Sequence, residues 1–191
     1  MNNFSLRNHF PIPFNYLLFL KRFYNGEPSE ALRTYPKESF IQIGSLQPDE
    51  FHDQLSDIWG KYIDFYQELI MKSPIDIHTF EVQFTRHHQN FVLLFKNNEN
   101  GIALFRHTWN IFMNWWWLPS CGLKGILEQI SDEFMSDLPV IPLNQNIMIQ
   151  VVFDHIPDYL PDSGHNFIMV PIQNLTLQQK WPEIITRLRS L

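Results

Sequence analysis

Between Phe51 and Leu69 the large apolar residues Phe51, Leu55, Ile58, Trp59, Tyr62, Phe65, Tyr66 and Leu69 return every three or four positions. That interval is the helical repeat. It lays them on one stripe and commits residues 49–72 to an amphipathic helix resting on a broad apolar surface. Pro48 stands where a first-turn proline is tolerated. Asp57 with Lys61 and Glu68 with Lys72 are acid-before-base pairs at four-residue spacing, each worth roughly a few tenths of a kcal/mol. A helix of this length needs a second layer, which the rest of the chain has to supply.

The segments that follow read as sheet. Residues 75–85 read as a strand, with apolar and polar residues alternating from Phe80 onward, Phe91-Val92-Leu93-Leu94-Phe95 is an apolar run of strand length, and Asn97-Asn98-Glu99-Asn100-Gly101 has the chemistry of a hairpin turn. Ile102 to Phe105 then returns as an antiparallel strand, and Trp109 to Trp117 forms a fourth. In that fourth strand Trp115 and Trp117 face the core while Trp116 shares the opposite face with Asn110 and Asn114. A second amphipathic helix spans 123–138, with Leu123, Ile126, Leu127, Ile130, Phe134 and Leu138 on its stripe. Strands at 147–153 and 167–170 flank a loop at 154–165. Helices at 14–24 and 183–190 complete the chain, the latter with Pro182 at its first turn. The predicted architecture is α+β: a mostly antiparallel sheet of five or six strands packed with two principal amphipathic helices, plus N- and C-terminal helices. The 191 residues fit one domain, with residues 1–40 wrapping its core.

Apolar residues at 45% and aromatics at 15% place the chain in the globular class. A single cysteine, Cys121, rules out an internal disulfide and suits a reducing compartment, so the expected location is cytoplasmic. The apolar patch Tyr16 to Leu20 runs directly into Lys21 and Arg22 and has no cleavage site after it, unlike a signal peptide, and no apolar run reaches the length of a membrane span. The formal charge of −6 is unevenly placed. Between His107 and Gln179, Lys124 alone faces Glu128, Asp132, Glu133, Asp137, Asp154, Asp158 and Asp162, so this stretch carries the whole imbalance. Such a surface repels phosphate backbones and attracts basic proteins, which argues against nucleic acid as a partner.

Three features carry candidate chemistry. Within the loop DHIPDYLPDSGH, Asp154, His155, Asp158, Asp162 and His165 are the right residue types for a divalent metal or for an acid/base pair, although two prolines and a glycine set their spacing and no known ligand pattern appears. His87 and His88 are neighbours in Thr85 to Asn90 and would point to opposite faces of an extended chain. On the helix at 123–138, Glu128 with Asp132 and Glu133 with Asp137 are like-charged pairs four residues apart that no lysine offsets. A helix shaped only by stability would avoid that arrangement. No phosphate-cradling or dinucleotide-binding glycine motif and no nucleophile elbow is present, so no cofactor is expected.

The expected function is therefore that of a non-catalytic, cytosolic protein-binding module. Its acidic, aromatic-flanked surface would hold a basic protein partner, in the manner of an inhibitor or immunity-type protein that neutralises a toxin. Trp116 would be the anchor, and Glu128, Asp132, Glu133 and Asp137 would be the carboxylate contacts. Two alternatives stand beside it: a small metal-dependent hydrolase with its site at Asp154, His155, Asp158, Asp162 and His165, and a structural protein that assembles as a homodimer.

Overall fold

The computed structural model describes residues 6–25, 48–72, 89–95, 99–116 and 147–191. In chain order these form strand β1 (Leu6–His9), helix α1 (Ile12–Asn25), helix α2 (Pro48–Lys72), a short helix α3 (Gln89–Leu93), helix α4 (99–116), strands β2 (Ile147–Val152) and β3 (Phe167–Pro171), a short helix α5 (Ile172–Thr176), a 3₁₀ turn at Gln178–Lys180, and helix α6 (Trp181–Arg189). Helix takes up 69% of the described residues. The expected antiparallel sheet of five or six strands is overturned. Among the described residues the sheet is small and parallel, in the order β1-β2-β3, with Leu6 opposite Ile147 and Met148 opposite Phe167.

The cause lies in the chain from Phe91 to Trp116. Read as three strands of a meander, these residues instead form α3 and α4. Their apolar content is nearly continuous, so a period of two and a period near 3.6 both fit, and burial decides between them. Along α4 the buried positions are Gly101, Phe105, Thr108, Phe112, Trp115 and Trp116, at intervals of three and four until the last pair. The supposed hairpin glycine sits in the first turn of α4. A Cβ there would collide with the carbonyl of Phe95, so glycine is what lets α4 pass close over the end of α3.

Helix α1 explains why so many aromatics are needed. Phe14 and Tyr16 through Leu20 are all buried, so the helix is enclosed on every side and acts as the centre of the core. Phe14 faces α2, with ring centroids 4.6 Å from Trp59 and 5.4 Å from Tyr66. Tyr16 faces the other way, edge-on to Phe91 at 5.1 Å and to Trp109 at 4.8 Å. The stripe read from α2 is confirmed, since Phe51, Leu55, Ile58, Trp59, Tyr62, Tyr66 and Leu69 are all buried. Burying each such side chain contributes about 1.5–3 kcal/mol before the entropy of ordering it is set against that gain.

Asn15 joins α1 to the sheet. Its Nδ2 donates to the carbonyls of Pro11 (2.8 Å) and Val151 (3.3 Å), and its Oδ1 accepts from the Phe153 amide at 2.8 Å. These bonds satisfy backbone groups where β2 leaves the ladder, and they account for a buried amide next to an apolar helix. All six residues of β2 are buried, as expected of a parallel strand covered on both faces. The segments at 75–85 and 123–138 lie outside the described residues.

Candidate functional site

The loop that follows β2 connects it to β3 without a helix, which is unusual for a parallel crossover. Local bonds and two ion pairs hold it. Leu160 N donates to Pro157 O at 2.9 Å, closing a turn, and the indole Nε1 of Trp59 donates to Pro161 O at 2.8 Å. The first loop carboxylate, Asp154, is 6% exposed and accepts two bonds from Arg22 of α1, one from Nε and one from Nη2, plus one from the His155 amide at 2.7 Å. The second, Asp162, pairs with Arg187 of α6, Nη2 to Oδ2, at 2.8 Å. Near the far end the Asn166 amide reaches the Gln67 carbonyl of α2 at 3.3 Å, and there is no room for a side chain at Gly164 against Phe167 and Gln67.

This arrangement bears directly on the metal reading. Asp154 and Asp162 are turned toward guanidinium groups from opposite ends of the chain, while His155, Asp158 and His165 are exposed. Among the described residues, which include all five, no group of three or more His, Cys, Asp or Glu side chains is placed to hold a metal ion. Asp154 and Asp162 fasten the crossover to α1 and α6, a use that sequence spacing does not reveal because Arg22 and Arg187 are remote in the chain.

Trp116 is not on an outer strand face. It is 4% exposed at the end of α4, with its ring 5.4 Å from Phe112 and edge-on to Phe153 at 5.1 Å. Trp115 beside it is 5% exposed and also meets Phe153 at 5.1 Å. Successive residues of a strand point to opposite faces, whereas on a helix they are about 100° apart and both can reach a core. An indole so enclosed cannot anchor a partner on the folded surface. Glu128, Asp132, Glu133 and Asp137, like His87, His88 and Cys121, lie outside the described residues.

The structure adds an acidic surface that the sequence reading passed over. The helical turn that buries one side of α2 exposes Glu50, Asp53, Asp57, Asp64 and Glu68 on the other, with Lys61 among them. Lys61 Nζ bonds Asp57 Oδ2 at 2.6 Å, so the pair read as stabilising is formed, with Asp53 and Asp64 exposed on the same face. The signal was present in the same periodicity that revealed the apolar stripe. Near the start of α2, the ring of Tyr159 from the crossover tilts against His52 with centroids 5.5 Å apart, and Tyr159 is 49% exposed.

Among the described residues, one titratable group is strongly perturbed. Burial pushes the Tyr16 phenol far above the ordinary tyrosine range, opposed in part by its hydrogen bond to Thr108 at 2.9 Å. Thr108 Oγ1 is also within hydrogen-bonding reach of backbone carbonyls of α4, at 3.0 Å to Leu104 and 3.0 Å to Phe105, and either hydroxyl can be the donor between Tyr16 and Thr108. The Tyr16 side chain is fully buried among the rings of Phe91, Trp109 and Phe112. No helix among the described residues is long and apolar enough to cross a membrane. Compared with family models, with curated proteins and with solved structures, the chain matches none.

Proposed function

We propose that this chain is a non-catalytic protein-binding module that holds a basic protein through its acidic surface, as an inhibitor or immunity-type protein holds and neutralises a toxin. The supporting observation is the placement of acid. Two of the seven acids between His107 and Gln179, Asp154 and Asp162, are used internally, while α2 exposes Asp53 and Asp64 beside the Asp57–Lys61 pair. Glu128, Asp132, Glu133 and Asp137 add further carboxylate contacts of the same sign. Acid so distributed steers a cationic partner and repels nucleic acid. A lone cysteine suits work in the cytosol.

The test is capture of partners by the tagged full-length chain from its native lysate, with washes at low and high salt. A single basic protein released by salt is the expected result. Glu128→Lys with Asp132→Lys should then weaken that complex by about tenfold or more and flatten its salt dependence, with the circular dichroism spectrum unchanged. A partner that is retained at high salt and insensitive to the double substitution would sink the acidic-surface reading.

A further inference from the structure

We draw no further inference here: the strongest candidate, the fully buried Gln150 amide of the middle strand β2, opposite His9 of β1 and Met169 of β3, has no hydrogen-bond partner among the described residues, but nothing in the structure shows what ligand or partner would meet it.

Discussion

At the scale of single residues, two buried polar groups show how differently the core treats them. The Tyr16 phenol is enclosed and hydrogen-bonded, and burial raises its pKa. A group whose folded pKa lies above its unfolded value contributes stability that is complete below the unfolded value and is lost as pH rises above it. For tyrosine that loss begins near pH 10 and amounts to about 1.4 kcal/mol per pH unit from this one proton. Tyr16→Phe should remove that slope from chemical unfolding measured between pH 9 and 11. At pH 7 it should cost only about 0.5–1.5 kcal/mol, because Thr108 keeps its bonds to Leu104 and Phe105. Gln150 is the opposite case. It is 0% exposed in the central strand, and neither its amide oxygen nor its nitrogen has a hydrogen-bond partner. Replacing a buried unsatisfied amide by an apolar group of similar shape relieves a desolvation penalty, so Gln150→Met should raise the urea midpoint, by about 1–3 kcal/mol in stability. An unchanged or lowered midpoint would mean that the amide has a partner in solution.

At the scale of elements, α4 depends on one glycine. Any side chain at Gly101 meets the Phe95 carbonyl, a backbone atom that can move only if α3 and α4 separate. Gly101→Ala should therefore cost about 1–3 kcal/mol despite alanine's higher helix propensity, and thermal melts would register the loss. Pattern reading succeeded where an element has two distinct faces. The helix expected at 49–72 is Pro48–Lys72, that at 14–24 is Ile12–Asn25, and that at 183–190 is Trp181–Arg189 with Pro182 in its first turn. Strands expected at 147–153 and 167–170 are Ile147–Val152 and Phe167–Pro171. It failed from Phe91 to Trp116, where aromatics crowd both faces and β propensity outweighed a helical period that was also present. Leu6–His9 was missed as a strand because four residues are too few to display a period.

At the scale of the whole molecule, the crossover is the place where distant parts of the chain meet. Arg22 near the end of α1 and Arg187 in α6 hold its two aspartates, and α2 holds it through Trp59 and Gln67. Asp154→Ala would leave the mostly buried Arg22 guanidinium without its carboxylate and should cost about 3–5 kcal/mol in urea unfolding. The paired replacement Arg22→Met with Asp154→Leu should recover most of that loss, because removing both charges abolishes the uncompensated one. If the single and paired variants were equally unstable, packing rather than charge would hold the crossover. The sequence by itself determined helices α1, α2 and α6, the two strands near the C-terminal end and the acidic imbalance, because periodicity and formal charge are local properties of the chain. Only the tertiary structure decided that the described strands run parallel, that 99–116 is helical, that Trp116 is interior, and that Asp154 and Asp162 meet Arg22 and Arg187. Each of these depends on which residues far apart in sequence come to share one buried space, and no local pattern encodes that choice.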